Sequence, residues 1–135
     1  MTNPIFLPNQ KEIQNVLALT SSQKYNYFVS KIADWEQVWS VGDGLNLVTT
    51  WDDEKRLSLP LWAAKAYVEL CLTDEWTNFT PMLFSLEHLM TEILPDMHEA
   101  NIQAALMMQP DGGKTPVYAA AELLADLKEE CRKYD

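Results

Sequence analysis

The sequence predicts an α+β domain, with a mostly antiparallel sheet of five to six strands and helices packed on it. Three observations carry this. Apolar residues recur at helical spacing near both ends of the chain. Between residues 38 and 59 the period falls to two. Gly, Asp and Pro mark the places where the period changes.

Residues 1–8 hold Pro4 and Pro8 and no periodicity, so they read as a flexible arm that is ordered only where it docks. Asn9 is a plausible N-cap for a first helix bearing Ile13, Val16 and Leu17. Ser21 or Ser22 caps a second helix, whose stripe of Tyr25, Phe28, Val29 and Ile32 completes an N-terminal helical pair. Trp39 and Val41 then form a strand, and Gly42-Asp43-Gly44 turns the chain. Leu45, Leu47 and Trp51 make a second strand, Asp52-Asp53-Glu54-Lys55 a second turn, and Leu57 and Leu59 a third strand that Pro60 ends. Three short strands joined in this way predict a meander with one covered face and one partly wet face.

Leu61 to Leu72 reads as a helix, 73–78 as a loop, and Phe79 to Phe84 as an edge strand tolerating Pro81. Ser85 caps a helix carrying Leu86, Leu89, Met90 and Ile93, which Leu94-Pro95 ends or kinks. Ile102 to Met108 is an apolar run, Asp111-Gly112-Gly113 a turn, and Thr115 to Tyr118 a returning strand. Ala120 to Tyr134 is a long amphipathic C-terminal helix. No repeat or linker divides residues 1–135, so a single domain is expected.

The 135 residues carry 10 basic and 20 acidic side chains, a net charge of −10. That balance argues against a basic face for nucleic acid, whose binding is dominated by phosphate neutralisation. It also argues against anionic membranes. The acid is concentrated late. Residues 71–135 hold four basic and twelve acidic side chains, against six and eight in residues 1–70. Such an excess is either a solvated face or a docking surface for a basic partner. No run approaches the ~18–20 apolar residues of a membrane span. The first residues lack the pattern of a secretory leader, so a cytoplasmic location is expected. In that compartment Cys71 and Cys131 are expected as thiols packed like small hydrophobes.

Candidate chemistry is sparse. No nucleophile elbow, P-loop or dinucleotide fingerprint occurs, and no cofactor or metal is implied. His88 and Glu92 share the i, i+4 spacing of two metal ligands, but two ligands do not make a site, so an exposed histidine is the expectation. Asp52, Asp53 and Glu54 lack the spacing of a calcium loop and read as a solvated turn. Met97, Met107 and Met108 read as core filler. Five tryptophans stand out: Trp35, Trp39, Trp51, Trp62 and Trp76. Trp39 and Trp51 fit a sheet face in the core. Trp76, beside Asp74 and Glu75, fits an aromatic anchor with an acidic rim, suited to a cationic ligand or basic protein.

The stretches Tyr25-Asn26-Tyr27-Phe28, Trp35-Glu36-Gln37-Val38-Trp39, Leu59-Pro60-Leu61-Trp62 and Glu75-Trp76 resemble an uncharacterised bacterial family, known only as a domain of unknown function. The resemblance spans roughly residues 20–130 and implies a small bacterial protein without an assigned activity. The second half, through Met107-Met108-Gln109-Pro110, also resembles the N-terminal domain of enhanced-serine-sensitivity proteins. That resemblance implies a loose link to secretion and toxin–immunity settings.

The leading expectation is a non-enzymatic interaction module, immunity-like in one version, docking a basic partner through Asp74, Glu75, Trp76 and Trp62. Alternatives are an enzyme using His88, Glu92 or Asp96 in a pocket, and a small-ligand binder with a tryptophan-lined pocket. A monomer or a homodimer is expected.

Overall fold

The computed structural model describes residues 5–51, 54–110 and 115–134. The predicted Asp52-Asp53 turn and the Asp111-Gly112-Gly113 turn lie outside these, as does the start of the arm. The chain is α+β, with helices α1 (Gln10–Leu17), α2 (Ser21–Trp35) and α3 (Lys65–Leu70), then α4 (Leu86–His88), α5 (Leu94–Ala100) and α6 (Ala120–Cys131). The strands are β1 (Gln37–Gly42), β2 (Thr50–Trp51), β3 (Leu57–Leu61), β4 (Thr80–Ser85), β5 (Gln103–Leu106) and β6 (Val117–Tyr118).

The strands form two sheets, β1-β4 and β2-β3-β5-β6, in place of the one expected. Three pairings are antiparallel, and β3 runs parallel to β5. Pro60 explains the division. Trp39 and Trp62 exchange both backbone hydrogen bonds, at 2.9 and 2.8 Å. In an antiparallel ladder the next such pair would be Val41 and Pro60. Pro60 has no N–H to give, so the ladder stops there. The Val48 N–H takes the Val41 carbonyl instead, at 2.9 Å. The Ser40 hydroxyl donates to the Pro60 carbonyl at 2.7 Å.

Pro60 therefore does not end β3; it splits a would-be sheet in two. Leu61 stays in the strand, and the helix expected from there begins only at Lys65. The meander is likewise reduced. Leu47 bridges to Gly42, where an added Cβ would collide with Met82 Sδ and the Asn46 carbonyl. Only Thr50–Trp51 forms a second strand, and it pairs with β3. On so short an edge strand Trp51 stays 68% exposed, not core as its alternation implied. Nor does β1 keep a wet face, because all six of its positions are buried. β4, pairing along the whole of β1 with Pro81 opposite Val41, is the expected edge strand.

Helix signals survive better. Asn9 caps α1 by accepting from the Glu12 N–H at 2.8 Å. The cap of α2 is Thr20 rather than either serine, because Gln23 stands three residues on and closes a reciprocal capping box. Tyr25, Phe28, Val29 and Ile32 are all buried, as their spacing predicts. Ser85 caps α4. Pro95 does not end that helix. It sits in the first turn of α5, where the missing N–H is tolerated. A π-helical turn, Leu89–Ile93, precedes it. α6 continues the expected C-terminal helix, ending in a 3₁₀ turn at Arg132–Tyr134. α2 and α6 pack on each other and on β5, α5 packs on α6, and α3 packs on β1 and β4. No helix among the described residues is long and apolar enough to cross a membrane.

Candidate functional site

The residues after α3 build one wall of an open cavity of about 400 Å³. Asp74–Trp76 is a 3₁₀ turn that begins with Asp74 in the left-handed region, φ 52°. Asp is one of the few residues that tolerates this conformation. The turn is stapled by Trp76 N–H to the Thr73 carbonyl at 3.0 Å and by the Thr77 hydroxyl to the Asp74 carbonyl at 2.8 Å. Asp74 and Glu75 are exposed, and Trp76 is half-buried.

The opposite wall is Met108, Gln109 and Pro110, with Cys71 and Thr73 between. It exists because Met107 also turns left-handed, φ 55°, at the end of β5. There the Met107 N–H reaches the Leu61 carbonyl at 2.9 Å. The Met108 carbonyl accepts twice: from Trp62 Nε1 at 3.0 Å and from Cys71 Sγ at 3.2 Å. Behind this wall Lys24, 2% exposed, donates to Gln109 Oε1. An ammonium so buried is held by hydrogen bonding.

Trp62 is the support, not a contact surface. It is 0% exposed, so no partner can touch it without rearrangement. Trp76 stands edge-on to it, with ring centroids 6.4 Å apart and an interplanar angle of 88°. Phe79 also packs against Trp76, with ring centroids 6.3 Å apart. Edge-to-face packing of this kind fixes an aromatic ring beyond what burial alone does.

Of the predicted site, Asp74, Glu75 and Trp76 thus share one cavity, with Trp62 beneath. Sequence reasoning missed the Met108–Pro110 wall, because it comes from a segment more than thirty positions away. The core-filler expectation holds for Met107, and Met108 packs against the core as well. Met107 is buried; Met108 lines the cavity.

The residues of the enzymatic alternative are not drawn together into either described cavity. His88, Glu92, Asp96 and His98 are exposed, and His88 stacks on Phe84 at 5.7 Å. Among the described residues no group of three His, Cys, Asp or Glu could hold a metal ion. Cys71 is a buried thiol and Cys131 a half-buried one. A second cavity, about 330 Å³, lies at the end of α2 between Asp34, Glu36 and Tyr134 and contains none of the predicted residues. Desolvation, then Asp34 and Glu130, push the Tyr134 phenol up.

Comparison with curated proteins and with solved structures gives no significant match, to enhanced-serine-sensitivity proteins or to others. A family model described as a protein of unknown function (DUF2750) matches residues 25–127. That stretch runs from α2 into α6 and holds both walls of the cavity, so the chain belongs to the DUF2750 family.

Proposed function

We propose that this protein is an interaction module that receives a cationic group of a basic partner in the cavity walled by Asp74, Glu75 and Trp76. One observation carries the reading: two exposed carboxylates and a braced indole ring share one concave site. A cation over an indole gains from the ring quadrupole, and neighbouring carboxylates add attraction that salt screens. The chain's net charge of −10 steers a basic partner toward it. A basic toxin is one partner of that chemistry.

A small cationic ligand is the second reading. The volume of about 400 Å³ favours it, lying within the roughly 300–1,000 Å³ range of ligand pockets.

The test is co-purification from the source cells at low and high salt. Wild-type chain is run beside an Asp74→Asn, Glu75→Gln double variant. A stoichiometric basic protein that leaves at high salt, and that the variant fails to retain, supports docking. Equal retention by both chains sinks it. No retained protein, with a cationic metabolite shifting Tm in the wild type only, moves the reading to the small ligand.

A further inference from the structure

Residues 5–9 precede α1 and have no regular secondary structure, yet they supply a core aromatic. Phe6 is 6% exposed, while its neighbours Ile5 and Leu7 face solvent. Its ring stacks on Trp35 with centroids 5.2 Å apart. The Lys31 ammonium lies 5.2 Å from the centre of the same ring. Its backbone N–H donates to Oε1 of the buried Gln37 at 2.9 Å. These contacts require only an aromatic side chain and the N–H of the residue that bears it. A pocketed side chain beside a bonded backbone N–H is how extended peptides are commonly recognised.

We propose that the slot formed by Lys31, Trp35 and Gln37 is a recognition site for an extended peptide segment bearing an aromatic side chain, and that Ile5–Pro8 is its tethered occupant. The slot lies inside the stretch matched by the family model, and the occupying segment lies before it. A tethered segment competes at an effective concentration on the order of millimolar. The slot therefore stays filled until a partner's segment displaces Phe6. This site is separate from the acidic cavity and does not depend on it.

The test uses the full chain. An N-acetylated, fluorescently labelled peptide spanning residues 5–9 is titrated against wild type and against Phe6→Ala. Binding at least tenfold tighter to Phe6→Ala than to wild type, lost when the peptide carries the same substitution, is expected. Equal affinity for the two chains overturns the proposal. So does no binding to a Phe6→Ala chain that keeps the wild-type circular-dichroism spectrum. Where Phe6→Ala fails to fold, hydrogen exchange on wild type decides. A Phe6 amide exchanging at least a hundredfold faster than that of Leu106 supports a releasable segment. Exchange of both only through global unfolding overturns it.

Discussion

The slot around Trp35 is filled by the chain's own Phe6, whereas the cavity around Trp76 stands open. Both are concave and both hold a tryptophan. The difference is what the polar groups meet: Lys31 and Gln37 are engaged by Phe6, whereas Asp74 and Glu75 face water. An apolar hollow left in water forfeits the burial free energy of its walls, so a filler is favoured. A hollow rimmed by Asp74 and Glu75 is wetted at little cost, because solvated carboxylates want water.

The largest way to break that comparison is at the buried support of Trp76. Trp62→Ala should cost about 3–5 kcal/mol, the range for a buried aromatic. It removes the Met108 hydrogen bond and the brace for Trp76. Denaturant titration checks it, and a loss under 1 kcal/mol would show that the surrounding core relaxes.

Phe6→Ala should cost about 3 kcal/mol, the low end of the same range, because the segment before α1 can relax into the vacated space. A cost above that of Trp62→Ala would show that the segment cannot relax and holds its part of the core rigidly.

Next in size is a pH effect. Tyr27 and Tyr67 share a hydrogen bond of 2.9 Å, and Tyr27 also donates to Glu12. Burial, then these bonds, push Tyr27 well above its ordinary range. Burial and the Glu12 charge push Tyr67 up to about 12, although the Tyr27 bond opposes this. The folded state therefore holds these protons more tightly than the unfolded chain, whose tyrosines titrate near 10. The contribution is complete below about pH 10 and is lost as the pH climbs through the folded values. Tm should be flat to about pH 9 and fall steeply above 10, less steeply in Tyr67→Phe.

The smallest expected effect is at the rim. Asp74→Asn with Glu75→Gln should change stability by no more than about 0.5 kcal/mol, as for surface positions generally. Binding of a basic partner should nonetheless weaken. A large stability loss would instead make these carboxylates structural.

Much of the fold was legible because local rules decided it. The α2 stripe and the Asn9 and Ser85 caps need only neighbours within a turn. Thr20 takes the α2 cap expected of Ser21 or Ser22, because Gln23 completes its box. The sheet was not, because its division rests on which long-range partner Pro60 meets and cannot bond. The parallel β3–β5 pairing has no local signature at all. Trp51 and Trp62 show the same limit. Both are tryptophans near strands, yet one is 68% exposed and the other 0%, according to how many elements surround them. At the site, the cluster at 74–76 was readable from adjacency. Its facing wall depended on a left-handed Met107, which no residue preference foretells. Pro4 and Pro8 make residues 1–8 read as a flexible arm, and nothing local signals that Phe6 is buried.

The edge-to-face Trp62–Trp76 pair also gives the molecule an optical signature. Two indoles held at a fixed, nearly perpendicular angle form a coupled chiral chromophore that generates circular dichroism in the near ultraviolet. One member is sealed in the interior and the other borders the cavity, so an arriving guest perturbs only the outer ring. Occupancy of the cavity is thereby written into the absorption of polarised light, and a binding curve can be recorded without attaching any dye.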